Sequence, residues 1–295
     1  MVETAPGRVV IAYSQDSLVE TADGGLLRCQ SRRSVGKPVC GDYVRFARSG
    51  ADSGVVERIE ERRNVIARAN FRNELRPIAA NVDLMVVVVA TRPGFERLLI
   101  DRYLVLAEQL GVEALVWVNK LDLLTPEQQR ALLADLAVYQ RLGYRVLAGS
   151  AASGMGIDAL QAALDGRTGI LVGQSGVGKS SLIKRLIPDI ELRIGALSEA
   201  SGLGKHTTTE TTLYHLPGGG DLIDSPGIRT LRLSHLDAPA LQAGFKEIKE
   251  LAGQCRFPDC RHRGEPGCAV TAAGTVDTGR LQSFHLLLET ELGKS

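Results

Sequence analysis

The sequence predicts a multidomain protein with an N-terminal β-barrel, a central α/β domain and a small C-terminal α-helical unit. Residues 1–72 contain short β-like stretches separated by turn signals such as Asp23-Gly24-Gly25. Residues 73–238 alternate apolar strand-like stretches with helical patterns, which is typical of βαβ units around a parallel sheet. Residues 239–295 contain two helical stretches on either side of a cluster of cysteines and a histidine. The 295 residues suffice for this organisation, because a typical domain has about 100–200 residues.

The barrel and the α/β domain are predicted element by element. The barrel strands are expected at Arg8–Tyr13, Leu26–Cys29, Asp42–Phe46 and Val55–Ile59. The strands of the α/β domain are expected at Leu84–Val89, Ala114–Val118, Arg145–Ala148, Gly169–Val172, Thr211–Leu216 and Asp221–Ile223. Its helices are expected at Arg97–Leu110, Pro126–Arg141, Gly156–Leu164 and Lys179–Leu186.

Composition and charge leave the partner open. The longest purely apolar run, Leu84 to Ala90, is far shorter than the roughly 20 residues of a membrane span. Residues 1–7 show no basic start followed by an apolar block. We therefore expect a cytoplasmic protein without a membrane partner. The 35 basic and 34 acidic residues give a net charge of +1, which neither demands nor excludes an RNA partner.

A glycine-rich segment between a predicted strand and a predicted helix carries the first chemical motif. The residues from Gly173 to Ser180 match G-x-x-x-x-G-K-[ST], whose backbone N–H groups converge on phosphate at a helix N-terminus. In this interpretation Lys179 bridges the β- and γ-phosphate oxygens and acts in catalysis, and the Ser180 hydroxyl binds Mg²⁺. The predicted contacts are Gly173, Gln174, Ser175, Gly176, Val177, Gly178, Lys179, Ser180 and Ser181.

A second phosphate-side motif follows a later strand. Asp224-Ser225-Pro226-Gly227 matches D-x-x-G, which places Asp224 at the carboxyl edge of the sheet. There Asp224 is expected to hold Mg²⁺ through water, and the Gly227 N–H to sense the γ-phosphate. The same four residues also suit an ordinary turn. The phosphate loop beside them favours the first interpretation.

A third motif predicts that the nucleotide base is guanine. Asn119-Lys120-Leu121-Asp122 matches N-K-x-D, in which Asp122 accepts from the ring N–H and the exocyclic amine of guanine. Lys120 is expected over the base plane, and Asn119 is expected to brace the loops. Ser150 and Ala151 begin a loop of the S-A-x type, which contacts the guanine carbonyl. The alternative for residues 119–122 is a helix-capping turn before Thr125-Pro126.

The order of these motifs along the chain is circularly permuted. The base motifs at 119–122 and 150–152 precede the phosphate loop, whereas the D-x-x-G motif at 224–227 follows it. Ligands bind at the carboxyl ends of parallel strands, so the site survives permutation if each loop keeps its spatial place. The predicted domain is therefore an α/β P-loop GTPase domain of permuted order.

The segment from Gly202 to Thr209 lacks apolar periodicity and is expected to be a switch loop. Thr208 or Thr209 is predicted to complete the Mg²⁺ shell, and the sequence does not separate the two. A flexible Ser/Thr linker is the alternative. Ile228 follows D-x-x-G, where some GTPases carry a water-orienting glutamine, which predicts slow intrinsic hydrolysis. His206 is the proposed catalytic substitute, and a surface histidine without a role is its alternative.

Three thiols and one imidazole in a short segment predict a structural zinc site. Cys255, Cys260, His262 and Cys268 form a tetrahedral donor set with no position left open for catalysis. Cys29 and Cys40 lie far from this cluster and are interpreted as ordinary barrel cysteines.

These motifs together resemble the bacterial RsgA (YjeQ) family of circularly permuted GTPases, over nearly the whole chain. The matching pieces are Gly41-Asp42-x-Val44, Asn81-Val82-Asp83, Asp101-Arg102-Tyr103-Leu104, Asn119-Lys120-Leu121-Asp122, Gly173–Ser181, His206–Thr209, Asp224–Arg229 and Cys255–Val270. The resemblance implies an OB-fold at 1–72, a permuted GTPase domain at 73–238 and a zinc-binding helical domain at 239–295. It also implies GTP hydrolysis stimulated by the small ribosomal subunit, in late maturation of its rRNA. Lys205 departs from the family's usual arginine, and Ile228 from its common phenylalanine.

Support for an RNA partner from the residues themselves is weaker. Arg28, Arg32, Arg33 and Lys37 form a stretch without acidic residues, of the kind an OB-fold uses on a nucleic-acid backbone. A merely solvated loop is the alternative. Arginines at 256, 261 and 263 form a second candidate patch beside the zinc ligands.

Two other function classes stay open at this point. One is an RNA-binding factor for which GTP is only a structural ligand, and the other is a permuted GTPase of the large ribosomal subunit. Substantial hydrolysis on adding subunits separates the first from an enzyme, and the preference for one subunit decides the second. The sequence contains no dimer-forming heptad, and we expect a monomer.

Overall fold

The structure is a computed structural model that describes residues 3–69, 74–92, 94, 96–191, 210–225 and 232–293. Its N-terminal part is a closed five-stranded barrel. The strands are β1 (Ala5–Ala12), β2 (Asp16–Thr21), β3 (Leu26–Ser31), β4 (Tyr43–Arg48) and β5 (Ser53–Ile59). They pair in the order β1-β2-β3-β5-β4 and back to β1, and every pair is antiparallel except β3–β5. This is the predicted OB-fold barrel.

The barrel interior is filled by alternating apolar side chains of all five strands. The buried set contains Val9, Val19, Leu27, Cys29, Val44, Phe46 and Val56. Strand β2 was not predicted from the sequence. A hairpin follows the barrel, formed by β6 (Val65–Ala69) and β7 (Leu75–Ala80), and it was not predicted either. The predicted domain boundary at 72/73 lies between these two strands and stays a prediction.

The described part of the central domain forms a six-stranded sheet covered on both faces. Its strands are β8 (Leu84–Ala90), β9 (Glu113–Asn119), β10 (Arg145–Ala148), β11 (Thr168–Val172), β12 (Thr212–His215) and β13 (Asp221–Asp224), in the order β10-β9-β8-β11-β13-β12. Only β12 in this sheet is antiparallel to its neighbour. Thr212 of β12 also pairs with Ile11 of β1, so the sheet continues into the barrel.

Strand β8 explains why the sequence shows an unbroken apolar run there. Met85 and Val87 pack into one core cluster, whereas Val86 and Val88 pack into the cluster on the opposite face. A parallel strand buried on both faces needs apolar residues at every position. The predicted alternation of strands and helices is confirmed.

The helices of this domain are α1 (Arg97–Leu110), α2 (Pro126–Arg141), α3 (Ile157–Leu164) and α4 (Lys179–Leu186). Helix α2 begins with a capping box, because the Thr125 side chain accepts from Gln128 N while the Gln128 side chain accepts from Thr125 N. Pro126 occupies the first turn, where its missing N–H costs nothing. The helix is therefore capped without any contribution from residues 119–122.

The C-terminal unit contains four short helices, where the sequence predicted two helical stretches. They are α5 (Ala238–Ala243), α6 (Lys246–Ala252), α7 (Ala269–Ala273) and α8 (Thr278–Leu287), and a π-helical turn at Leu288–Leu292 extends α8. Helix α8 packs along α1 of the central domain. Arg280 of α8 is fully buried there and pairs with Asp101 of α1 at 2.7 Å. Among the described residues, no helix combines the length and apolarity that crossing a membrane requires.

Candidate functional site

The predicted phosphate loop runs from the end of β11 to the first turn of α4, as its sequence context required. Gly173 has φ 142°, and a Cβ added to it would lie 2.2 Å from the carbonyl oxygen of Val88. Gly178 has φ 94°, and a Cβ there would lie 2.4 Å from Asn119 Nδ2. Both conformations are costly for residues with a side chain. The glycines of the motif are therefore needed for the loop to pass between its neighbours.

Lys179 is held at the mouth of this loop. Its Nζ donates to the carbonyl oxygens of Gly173 and Gln174, at 2.6 and 2.7 Å. Burial raises the pKa of Asp224 at the end of β13, and the positive charge of Lys179 opposes that shift. The Lys179 ammonium and the Asp224 carboxylate, one from each phosphate-side motif, therefore interact electrostatically. Ser180 and Ser181 are exposed in the first turn of α4.

Asn119, at the end of β9, joins three loops. Its side chain is buried, its Nδ2 donates to Val177 O of the phosphate loop at 2.8 Å, and its Oδ1 accepts from Ala151 N at 3.0 Å. One amide therefore fixes the base loop, the phosphate loop and the S-A-A loop relative to one another. A helix-capping turn has no use for these contacts, which favours the base-loop interpretation of residues 119–122.

The other residues of the base loop lie beside the phosphate loop. Lys120 is in the left-handed region with φ 61°, and its Nζ donates to Gly176 O at 2.6 Å and to Arg92 O at 2.9 Å. Asp122 is exposed in a single 3-10 turn at Leu121–Leu123. The Asp122 carboxylate is therefore accessible to the edge of a bound nucleotide base.

The S-A-A loop is ordered by its own first residue. Ser150 is fully buried, and its Oγ accepts from Ala152 N and Ser153 N, both at 3.2 Å. Its backbone N–H donates to Met155 O at 2.9 Å. The loop therefore keeps its shape through hydrogen bonds within the protein, which also engage its backbone N–H groups.

One contact to the phosphate loop was not predicted. The hydroxyl of Tyr103 on α1 is buried and hydrogen-bonds with the backbone of Gly173, and burial raises the pKa of Tyr103 to about 12. The signal for this contact in the sequence is weak, since Tyr103 merely falls in one of the family-like segments. Several other predicted residues lie outside the described part of the chain, namely Lys205, His206, Thr208, Thr209, Gly227 and Ile228.

Taken together, the loops meet at one edge of the sheet. The base loop follows β9, the S-A-A loop follows β10, the phosphate loop follows β11, and Asp224 ends β13. These four strands run parallel, so their carboxyl ends share an edge. Ser180 and Asp224 offer oxygen ligands of the kind that Mg²⁺ prefers, and a nucleotide's phosphates would supply the rest.

The predicted zinc ligands converge in the C-terminal unit. The ligand atoms of Cys255, Cys260, His262 and Cys268 all lie within 4.8 Å of one another. His262 Nδ1 is 3.7 Å from Cys255 Sγ and 3.4 Å from Cys268 Sγ. Zn–S and Zn–N bonds of about 2.3 and 2.0 Å in a tetrahedron imply N···S separations of about 3.5 Å. The cluster therefore fits a structural zinc ion, which ties the turns of the segment together.

The predicted basic stretch of the barrel is partly neutralised. Arg28 lies on β3 and pairs with Asp16 at 2.7 Å, and Arg32 pairs with Glu57 at 2.8 Å. Arg33 and Lys37 are exposed. The basic stretch itself contains no acidic residue, but acidic residues from other strands neutralise two of its four positive charges.

The two remaining cysteines are the barrel thiols. Cys29 and Cys40 are buried, and burial raises the pKa of Cys29 to about 11. Thiols with so high a pKa are poor nucleophiles, in agreement with a packing role.

The fold and site define a class of protein: a P-loop GTPase whose motifs occur in permuted order. The model of the family described as RsgA GTPase matches residues 59–234 of the chain. The chain belongs to this family, and it is a GTP hydrolase with an OB-fold barrel and a zinc-binding helical unit.

Relatives match the chain over nearly its full length. The small ribosomal subunit biogenesis GTPase RsgA of Haemophilus influenzae (strain 86-028NP) is 44% identical over 295 residues, which cover 98% of this chain and 85% of that protein. The protein of the same name from Azotobacter vinelandii is 48% identical over 280 residues, with 94% and 81% covered.

Solved structures agree in fold. YjeQ from Thermotoga maritima superposes with a TM-score of 0.81 at 30% identity, covering 99% of this chain and 100% of that chain. YloQ, described as a circularly permuted GTPase, superposes with a TM-score of 0.76 at 26% identity, covering 99% and 97%. The barrel, the permuted domain and the C-terminal unit therefore recur together.

Proposed function

We propose that this protein is a GTPase of small ribosomal subunit biogenesis, which binds the subunit with GTP and uses hydrolysis to leave it. The observation that carries the enzymatic part is the convergence of base loop, phosphate loop and S-A-A loop on Asn119. The cellular role is supported by relatives named small ribosomal subunit biogenesis GTPases, which match 94–98% of the chain.

Each motif has an assigned part in GTP binding. The backbone N–H groups of residues 173–181 surround the phosphates, and Lys179 leaves its two carbonyl partners to bridge β- and γ-oxygens. Asp122 accepts from the guanine edge while Lys120 lies along the base. The loop at Ser150 and Ala151 would meet the guanine carbonyl through a backbone N–H, which requires one of the hydrogen bonds that these groups make in this structure to give way. This set explains a preference for guanine over adenine, since adenine has no matching pair of donors.

Two metal ions have separate tasks. Mg²⁺ would neutralise charge that develops on the phosphates during transfer. Ser180 and one of the threonines 208 and 209 would bind it directly, and Asp224 would hold it through water. Zinc holds the segment from Cys255 to Cys268 together and takes no part in hydrolysis.

Hydrolysis by the isolated protein is slow in this proposal. Ile228 follows the D-S-P-G motif and has no group to orient water, so water must be positioned by another residue. His206 is the proposed one, placed by contact with the subunit. The partner surface includes Arg33 and Lys37, which are exposed, with smaller contributions from the paired Arg28 and Arg32. GTP hydrolysis is therefore fast only when the subunit with its rRNA is bound.

The test is GTP turnover by the purified protein alone, with small subunits, with large subunits and with matched free rRNA. Strong stimulation by small subunits, lost in Lys179→Ala and Ser180→Ala, is the expected result. Equal slow rates in all samples despite tight GTP binding would favour an RNA-binding protein with GTP as a structural ligand. Stimulation by large subunits would instead select the large-subunit alternative.

The role of His206 and the monomeric state need measurements of their own. His206→Ala should keep GTP affinity and lose subunit-stimulated turnover, and full stimulated turnover would remove the histidine from the mechanism. Light scattering after size exclusion, in GDP and in a non-hydrolysable GTP analogue, should give the mass of one chain. A dimer in either state would contradict the monomer proposal.

A further inference from the structure

The zinc centre has a close polar neighbour outside its own segment. Gln242 lies on α5, and its Oε1 is 2.9 Å from His262 Nε2. The other ring nitrogen, Nδ1, faces the thiols of Cys255 and Cys268 at 3.7 and 3.4 Å. The imidazole is thus held between the metal-binding thiols on one side and one amide oxygen on the other.

The chemistry of the imidazole fixes the proton. A histidine binds zinc through a nitrogen lone pair, so Nδ1 must be unprotonated and the proton must sit on Nε2. His262 is only 1% exposed, so water cannot satisfy that N–H. A buried N–H without an acceptor destabilises the structure that contains it. The carbonyl oxygen of Gln242 is the acceptor that this arrangement requires.

We infer that Gln242 is a positioning residue of the zinc centre, which holds His262 in the Nε2–H tautomer and aims its Nδ1 at the metal. No ligand spacing predicts this residue, since it precedes the first cysteine by more than a helix. Residues that hydrogen-bond to a metal ligand in this way change the metal affinity, because they orient the ligand side chain.

The contact also ties the zinc centre to the GTPase domain. Helix α5 carries Ala240, whose carbonyl oxygen accepts from Gln109 Nε2 of α1 at 2.8 Å. Gly244 follows the helix and lies against Val105 of α1, where an added Cβ would be 2.6 Å from Val105 Cγ1. The helix that supports the zinc ligand therefore also packs on the GTPase domain.

The test measures zinc affinity in the full-length protein, by competition with a chromogenic chelator. Gln242→Leu keeps a similar volume without an acceptor and should weaken zinc binding roughly 10- to 100-fold. Gln242→Glu keeps an acceptor and should bind zinc within a few-fold of the wild-type protein. Gln282→Leu, the same change at an exposed position of α8, is the matched control and should leave the affinity unchanged.

A second measurement reads the tautomer directly and needs no variant. Ring ¹⁵N shifts of His262 in the zinc-loaded wild-type protein should show metal-bound Nδ1 and protonated Nε2. Metal-bound Nε2 would overturn the inference even if Gln242→Leu fails to fold. So would unchanged zinc affinity in Gln242→Leu, or a loss in Gln242→Glu as large as in Gln242→Leu. Neither readout uses GTP or ribosomal subunits, so the result is independent of the proposed function.

Discussion

Replacing Arg280 with methionine should strongly destabilise the protein, because it removes the partner of a buried carboxylate. Arg280 and Asp101 are both fully buried and pair at 2.7 Å. Glu247 binds the same guanidinium at 2.7 and 3.0 Å, and the ring of Phe245 lies 4.5 Å from it. Methionine preserves most of the packing and none of the charge, so the substitution isolates the electrostatic contribution.

The size of the destabilisation follows from the contacts that Asp101 retains once Arg280 is removed. Asp101 keeps the hydrogen bonds from Tyr139 Oη, at 2.9 Å, and from the Ser283 side chain, and burial raises its pKa although the charge of Arg280 counteracts the shift. Removing one partner of a buried pair costs about 3–5 kcal/mol. That is a large part of the roughly 5–15 kcal/mol of a typical domain. Because the stranded carboxyl group can take up a proton, the loss should be smaller at pH 5 than at pH 8.

The assay is urea unfolding of the zinc-loaded protein, followed by helical circular dichroism, which includes the C-terminal unit, and by the fluorescence of Trp117. This residue is the single tryptophan of the chain, and it is fully buried in β9. Arg130→Met is the matched control, since Arg130 pairs with Glu127 at 3.3 Å with both side chains more than 70% exposed. An exposed pair of this kind contributes at most about 0.5 kcal/mol.

A second substitution checks the reasoning. Asp101→Asn, added to Arg280→Met, removes the stranded charge and should recover part of the lost stability. The account is refuted if Arg280→Met lies within about 1 kcal/mol of the wild-type protein at pH 8. It is equally refuted if the double variant loses the full sum of the two single losses.

Three further predictions concern other parts of the chain. Asp122→Asn should weaken GTP binding roughly 10- to 100-fold, because it replaces an ionised acceptor with an amide, and nucleotide titration measures this. His215 bridges Asp221 of the GTPase domain and Glu20 of the barrel, and these bonds raise its pKa to about 9. Its contribution to stability is therefore full below pH 6.5 and lost as the pH rises through about 9, so His215→Gln should flatten the fall of the urea midpoint over that range. Zinc removal by a chelator should unfold the C-terminal unit before the sheet around Trp117, seen as loss of helical circular dichroism at unchanged fluorescence.

Each of these has a contrary outcome. Unchanged GTP affinity in Asp122→Asn would place the guanine edge elsewhere. A pH dependence in His215→Gln equal to that of the wild-type protein would mean that this histidine does not link barrel and sheet electrostatically. Simultaneous loss of both optical signals on chelation would show that the zinc unit and the GTPase domain unfold together.

The sequence predicted best those elements whose pattern is long or whose burial is complete. Helices α1, α2 and α4 have the predicted bounds, because 8–16 residues of helical periodicity coincide with clear end signals such as Thr125-Pro126. Strand β2 was missed because Asp16 and Ser17 begin it and only Leu18 and Val19 are apolar. The hairpin β6–β7 was missed because Pro77 interrupts its second strand and the sequence between the strands, residues 70–74, contains no glycine or proline as a turn signal.

The sequence was enough to predict which loops form the site, but not which side chains contact one another within it. Motif order and the parallel sheet were enough to bring the phosphate and base loops to one edge. The partners of Asn119 in two other loops, and the pairing of Arg28 with Asp16, depend on which strands are neighbours. Local composition cannot reveal an acid that arrives from an adjacent strand. For the same reason no motif pointed to Gln242, which meets His262 only because α5 folds over the zinc segment.

The attachment of the C-terminal unit limits how GTP can move it. The D-S-P-G motif leads along the chain directly into that unit, so the chain itself offers one route from the nucleotide to the unit. The unit is also fixed to α1, through the Arg280–Asp101 pair and through the bond from Gln109 to Ala240. Separating the buried pair would cost about 3–5 kcal/mol, and a nucleotide can shift an equilibrium only by its differential affinity for the two states. A movement that carries α1 and the unit together avoids this cost, since it leaves the pair intact. Helix α1 also supports the phosphate loop through the Tyr103 hydroxyl at Gly173, so the least costly route from nucleotide to zinc unit runs through that helix.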